Sequence, residues 1–190
     1  MRQIIFYMNS SLDGYIADKD GSIAFAVYND QVANNSHAMH KQADTVIYGH
    51  TTYNMMRDYW TQVDPDNTEE DPHGSAHAKW LQNATKIVVS STLESTDWAD
   101  RIIGKDLEAE IKALKAEEGQ DIWLLASATL AHSLMKLHLI DEYRINVNSV
   151  ILGSGQLLFS PLDEKIDLQL LETEVFDGGV VHLRYIDPLA

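Results

Sequence analysis

Three segments place small or hydroxyl-bearing residues where a short apolar run gives way to a helical pattern. They are Gly49-His50-Thr51-Thr52, Ser90-Ser91-Thr92 and Ala126-Ser127-Ala128-Thr129-Leu130. Small residues let a ligand approach the backbone, and the free N–H groups that open a helix attract phosphate. Ligands of open α/β sheets gather beyond the carboxyl ends of the strands, so three such junctions on one edge suit an extended dinucleotide. Taken singly, each is also an ordinary capping sequence. Asp13-Gly14, directly after the first apolar run, is by itself a common turn pair. His37 and His40 stand three apart, and His73 and His77 four apart near Asp71, spacings that can put two ligands on one helical face. No third ligand is fixed, so no metal site is expected. The four tryptophans and Met55-Met56 read as packing residues.

The rest of the composition narrows the chemistry. A chain of 190 residues is long enough for one sizeable core, and residues 1–190 read as a single domain without repeats or a linker. No cysteine is present, which excludes thiolate nucleophiles and disulfides and fits a cytoplasmic location. The opening apolar run, Ile4 to Met8, is too short for a membrane span, so no membrane partner is expected. Fourteen basic residues stand against 29 acidic ones, a formal charge of −15 with no basic cluster, so nucleic acid is not an expected partner either. An anionic ligand needs a locally favourable site against that background.

Positioning these residues requires a sheet covered on both faces. Ile4–Met8, Val46–Tyr48, Ile87–Val89 and Ile122–Leu125 are continuous apolar runs, the pattern of interior strands. Between them the spacing predicts a helix capped by Asp30 and running through His40, and helices from Thr51 through Tyr59 and Ala76 to Asn83. A further helix, capped by Asp106, covers Leu107–Glu118 and is stopped by Gly119, and another carries Leu130, Leu134 and Leu137. Thr61–Gly74 reads as an exposed acidic loop. Tyr143, Ile145, Val147 and Ile151 alternate with polar positions, which predicts a half-exposed strand. Leu168–Phe176 and Val180–Ile186 flank Asp177-Gly178-Gly179, a hairpin signal. The expected fold class is α/β, with a mixed, mostly parallel central sheet flanked by helices and ending in an antiparallel hairpin.

The order of motifs adds a family resemblance. Ser11-Leu12-Asp13-Gly14-Tyr15-Ile16-Ala17 resembles the S-x-D-G-x-I-A loop of the riboflavin-biosynthesis reductase (RibD C-terminal domain)-like branch of the dihydrofolate reductase-like family. Gly49-His50-Thr51-Thr52-Tyr53 is similar to that family's G-R-x-T-Y, and Val88-Val89-Ser90-Ser91-Thr92-Leu93 to its V-V-S-R-T-L. Leu139-Ile140-Asp141-Glu142, Leu152-Gly153-Ser154-Gly155 and Leu158-Phe159 resemble its L-I-D-E and L-G-x-G-x-x-L-F elements. The resemblance covers nearly the whole chain. It implies a dihydrofolate reductase-like fold, NADPH (or NADH) along the strand ends and often a homodimer. It also implies hydride transfer to a small heterocyclic substrate of pterin, pyrimidine or flavin-like type. On that basis Gly49, His50, Thr51, Thr52, Ser90, Ser91, Thr92, Ala126, Ser127, Ala128, Thr129 and Leu130 would bind the cofactor. Asp13 would be the catalytic residue beside the substrate, positioning it or relaying a proton.

Departures from the pattern cluster at the cofactor segments. His50 and Ser91 stand where the family carries arginines, and Ala126-Ser127 where it carries Gly-Gly. A guanidinium fork suits the 2′-phosphate of NADPH, whereas serine has no charge and histidine only when protonated. The chain is therefore expected either to accept a second dinucleotide or to be a non-catalytic nucleotide- or flavin-binding protein on the same scaffold.

Overall fold

The computed structural model describes residues 1–159, 162 and 164–190. Along these the elements are β1 (Ile4–Ser11), β2 (Tyr15–Ala17), α1 (Asp30–Gln42), β3 (Ala43–Gly49), α2 (His50–Trp60), α3 (Pro72–Asn83), β4 (Thr85–Val89), β5 (Arg101–Ile103), α4 (Leu107–Ala116), β6 (Asp121–Leu125), α5 (Ala128–Met135), β7 (Glu142–Asn148), β8 (Gln156–Leu157), β9 (Gln169–Phe176) and β10 (Val180–Ile186). The main sheet runs β5-β4-β3-β6-β1-β7-β10-β9, and β2 pairs with β8 in a separate ribbon. Every pairing from β5 to β7 is parallel, and β10 runs antiparallel to both β7 and β9. This is the expected mixed, mostly parallel sheet with a terminal hairpin.

The four continuous apolar runs lie on β1, β3, β4 and β6, all interior. Alternate residues leave a strand on opposite faces, so β1 feeds two cores at once. Ile4, Phe6 and Met8 pack with Ile111, Leu114, Leu130 and Leu134 of α4 and α5. Ile5 and Tyr7 pack with Met39, Tyr53, Leu81 and Trp123 on the face covered by α1, α2 and α3. Both faces must therefore be apolar, and the sequence shows no alternation.

Some boundaries differ from expectation, each for a local reason. Asn29, not Asp30, caps α1, because its Oδ1 accepts the Val32 amide at 3.0 Å. The helix expected from Ala76 begins at Pro72, since Asp71 accepts the Gly74 amide and proline suits a first turn. β7 is not half exposed: its polar positions are buried and paired. Arg144 donates to Glu142 at 2.6 Å and Gln42 at 2.8 Å, and Asn146 donates to the Tyr7 hydroxyl at 2.8 Å. Ile151 lies beyond β7 and is exposed. Among the described residues no helix is long and apolar enough to cross a membrane.

Candidate functional site

The sheet order sets β4, β3 and β6 side by side, with Gly49 in register with Val89 and Ile47 with Leu124. The three small-residue junctions consequently meet on one edge. Ser127 Oγ accepts the Gly49 amide at 3.0 Å and donates to the Leu125 carbonyl at 3.1 Å. Thr52 Oγ1 donates to the Ala126 carbonyl at 3.3 Å. Ser90 Oγ lies 3.3 Å from His50 Nδ1 and accepts the Leu93 amide at 3.0 Å. Ser127 and Ala128 are buried, whereas Thr51, Ser91, Thr92 and Thr129 are exposed along the edge.

Two helices begin on this edge, α2 after Gly49 and α5 after Ser127, and neither has a side-chain cap. The remaining three are capped by Asn29, Asp71 and Asp106. Ser127 cannot cap α5, because its hydroxyl is committed to Gly49 and Leu125. Open N–H groups and the positive ends of two helix dipoles thus face one place. Ala126 adopts a left-handed φ of 54°. That conformation explains why glycine is usual at this position in the resembled motif, and alanine holds it at a cost.

Ala126 also belongs to the wall of a cavity of about 270 Å³ on the α1–α2–α3 side of the sheet. Tyr7, Met8 and Asn9 of β1 and Trp123 and Leu125 of β6 form its floor. Val32, Ser36 and His37 of α1, Met56 and Trp60 of α2, and His77 of α3 enclose it. Ile16 and the segment carrying Ile23, Phe25, Ala26 and Tyr28 complete the wall. That segment is tied down where the Val27 amide donates to Asn148 at 2.8 Å and Asn29 Nδ2 to the Asp177 carbonyl at 2.8 Å. Four wall residues carry a buried polar atom without a protein partner: Asn9 Oδ1, Trp60 Nε1, His77 Nε2 and Trp123 Nε1. These atoms are fully buried, so they lie behind the cavity's surface rather than facing its space.

Behind His77 runs a row of imidazoles. His77 Nδ1 lies 2.9 Å from His40 Nε2, His40 stacks on His37 at 4.8 Å, and His37 meets His73 at 5.1 Å. His73 pairs with Asp30 at 3.2 Å at the surface. Burial first, then the neighbouring imidazoles, pushes His77 down to about 3. Burial and His37 push His40 down to about 4. Both rings are neutral near pH 7. Among the described residues no group of three or more metal-ligating side chains is placed to hold a metal ion.

Asp13 does not line this cavity. Its Oδ1 accepts from the Ser11 hydroxyl at 2.6 Å and the Leu152 amide at 3.0 Å, and its Oδ2 from the Gly153 amide at 2.7 Å. The Ser11 hydroxyl, with those amides, holds the carboxyl down to about 2. The carboxylate clamps the loop after β1 to the loop after β7. Gly155 seals the same contact, since a Cβ there would meet the Ala17 carbonyl oxygen at 2.0 Å.

The sequence motifs fall on this shared edge, but they gave no sign of the cavity. Trp60 and Trp123, read as packing residues, do pack and also form part of its wall. The two histidine pairs were the available signal. Their spacing put His37 and His40 on one helix face, yet nothing in the sequence showed that α3 would bring His77 against them.

The RibD C-terminal domain family model matches residues 2–182. The chain is 30% identical over 184 residues to the uncharacterized protein YyaP of Bacillus subtilis (strain 168), covering 97% of this chain and 94% of that protein. A putative riboflavin biosynthesis protein from Shewanella sp. PV-4 superposes with a TM-score of 0.76 at 22% identity, covering 97% and 98% of the two chains. A dihydrofolate reductase from Enterococcus faecalis, complexed with NADP(H), superposes with a TM-score of 0.63 at 12% identity, covering 98% and 96%. The last two likenesses concern the fold.

Proposed function

The chain belongs to the RibD C-terminal domain family, and from that premise we propose that it is an NAD(P)H-dependent reductase of a small heterocycle. The observation that carries this reading is the junction at Ala126. There an edge with two uncapped helix starts meets a cavity with no Asp, Glu, Lys or Arg among the described residues that line it. The edge fits a dinucleotide: the open amides of α2 and α5 suit pyrophosphate, and Thr51, Thr52, Ser91, Thr92 and Thr129 offer hydroxyls. It offers no arginine to a 2′-phosphate, so NADH is as acceptable as NADPH.

When bound, the cofactor supplies hydride from its nicotinamide ring. The protein's own residues do the rest. Phe25, Tyr28, Trp60 and Trp123 exclude water and hold a flat ring. His77, neutral and held by His40, packs against Trp60 and Trp123 and fixes that wall. Asp13 acts one step removed, as a positioning residue that fixes the loops beside the β1 end. A second copy of the chain is the proposed partner, with Leu170, Leu171 and Val175 exposed on edge strand β9 as the surface it would cover.

The test is oxidation of NADPH and NADH, followed by the loss of reduced-nicotinamide absorbance, with pterin, pyrimidine and flavin acceptors. Turnover with any of them supports the reductase. Tight binding of a dinucleotide or flavin without oxidation by any acceptor supports the non-catalytic alternative, which the missing arginines favour.

A further inference from the structure

Resting on the NAD(P)H-dependent reductase reading and going beyond its heterocyclic acceptor, we infer that the cavity also accepts an uncharged bicyclic para-quinone, with one carbonyl oxygen toward the floor and the other at the rim. At about 270 Å³ the space is slightly smaller than a typical drug-sized site, which suits two fused rings. Its walls are mostly apolar and aromatic, with Trp123 and Leu125 on the floor and Phe25, Met56 and Trp60 around it. No Asp, Glu, Lys or Arg is among the described residues that line it. Burial raises Tyr7 to about 12, raises Tyr28 and lowers His37 and His77, so all four are uncharged near pH 7. An ionised ligand would lose its hydration here and meet no counter-charge.

Hydrogen-bonding groups are equally scarce. Asn9 Oδ1, both indole N–H groups and His77 Nε2 are shut off behind the surface. The Tyr7 hydroxyl accepts from Asn146 at 2.8 Å and donates to Asn35 at 3.3 Å. The polar side-chain groups left on the wall are the Asn9 amide nitrogen at the floor, and Ser36, His37 and Tyr28. Neither the Asn9 amide nitrogen nor the Ser36 hydroxyl bonds to another described residue. Tyr28 is 68% exposed and Ile23 62%, which puts the mouth beside α1, where Ser36 and His37 stand. Donors therefore stand at two ends of an otherwise apolar space. Every further polar edge on a ligand would shed water without finding a partner. A para-quinone carries its two acceptors at opposite ends of an apolar ring. Its reduction balances with the dinucleotide alone: the C–H bond of the reduced nicotinamide breaks with its electron pair, and a bond to hydrogen forms on the quinone. Water at the rim supplies the one proton that completes the hydroquinone, and the nicotinamide is oxidised by the two electrons the quinone gains.

Calorimetric titration without dinucleotide tests the cavity, and the absence of cysteine keeps a quinone from being consumed by thiols. The probes are 1,4-naphthoquinone and 1,4-naphthoquinone-2-sulfonate, which share one ring system and differ by a fixed negative charge. The uncharged probe should bind, and the sulfonate should bind more weakly by about tenfold or more. Asn9→Ala and Ser36→Ala, each checked for an unchanged melting transition, should weaken naphthoquinone by about three- to tenfold, the loss expected for one neutral hydrogen bond. With NADPH or NADH added, naphthoquinone should be reduced faster than in a protein-free control. No binding of naphthoquinone, binding of the sulfonate as tight or tighter, or unchanged affinity in both variants overturns the inference. Binding without reduction, by a protein that turns over a heterocycle, overturns it as well. The reductase reading fails separately, when naphthoquinone binds yet neither dinucleotide is oxidised by it or by any heterocycle.

Discussion

His40 Nε2 and His77 Nδ1 share a proton across 2.9 Å, and the other nitrogen of His77 is buried with no protein partner. A ring held in this way is fixed in the cavity wall beside Trp60 and Trp123. His77→Ala is therefore expected to loosen that wall and raise KM for the acceptor by about three- to tenfold, while leaving dinucleotide affinity unchanged. Steady-state kinetics with the best acceptor, alongside a dinucleotide titration, checks both halves. An unchanged KM removes His77 from the substrate wall.

The same row of imidazoles makes the fold sensitive to acid. His37, His40 and His77 titrate below the usual 6.5 when folded, so an unfolded chain takes up protons that the folded one refuses. Stability is thus complete above about pH 6.5 and falls as pH drops toward the folded values of about 4 for His40 and 3 for His77. For buried His77 the slope approaches about 1.4 kcal/mol per pH unit. Denaturant melts between pH 7.5 and 4.5 should show this loss, and His77→Phe should flatten it (roughly one proton's worth).

At Asp13 the expected damage is local. Asp13→Asn keeps an acceptor for Ser11 and Leu152 but turns an amide nitrogen toward the Gly153 N–H. Hydrogen exchange at the Leu152 and Gly153 amides should speed up, and turnover should fall, with little change in the global melt. A large loss of global stability with normal exchange at those two amides would contradict the clamp.

Ala126 invites a stabilising change. Its φ of 54° is one that glycine adopts without strain. Relief of about 1–2 kcal/mol of left-handed strain, less the extra freedom glycine has when unfolded, leaves Ala126→Gly more stable by about 0.5–1 kcal/mol. Chemical denaturation at constant m-value measures it.

Cofactor choice should be poor and correctable. Neither His50, whose Nδ1 rests against Ser90, nor exposed Ser91 offers a guanidinium fork. Wild-type Kd values for NADPH and NADH should lie within about tenfold of each other, and Ser91→Arg should shift the ratio toward NADPH by about tenfold or more. A strong wild-type preference for NADPH would place the phosphate-reading group elsewhere.

How much could be read from sequence follows from how local each signal is. The interior strands were legible because burial on both faces leaves an unbroken apolar run, as in Ile4–Met8. The Asp13 loop and the glycine loop near Gly153 were legible as motifs because each docks on the other. The Leu12 amide meets the Val150 carbonyl and the Leu158 amide meets the Gly14 carbonyl, both at 2.8 Å. β7 misled because polar Arg144 and Asn146 were paired with Glu142 and Tyr7, partners that alternation cannot reveal. The cavity was illegible because α1, α2, α3 and the two central strands each contribute only one to three side chains to it.

The position of β1 governs how the chain can be made. This strand sits between β6 and β7, both made long after it, with Ile4 against Ile122 and Ile5 against Glu142. At roughly 5–20 residues per second, translation takes about 6–24 s to supply β6 after β1 is made. Through that interval Ile4–Met8 is an unpaired apolar strand, the kind of segment that chaperones bind and that recruits like strands into aggregates. The centre of the sheet is consequently assembled only once β6 and β7 have followed, and a message truncated before residue 121 encodes a chain that cannot build it.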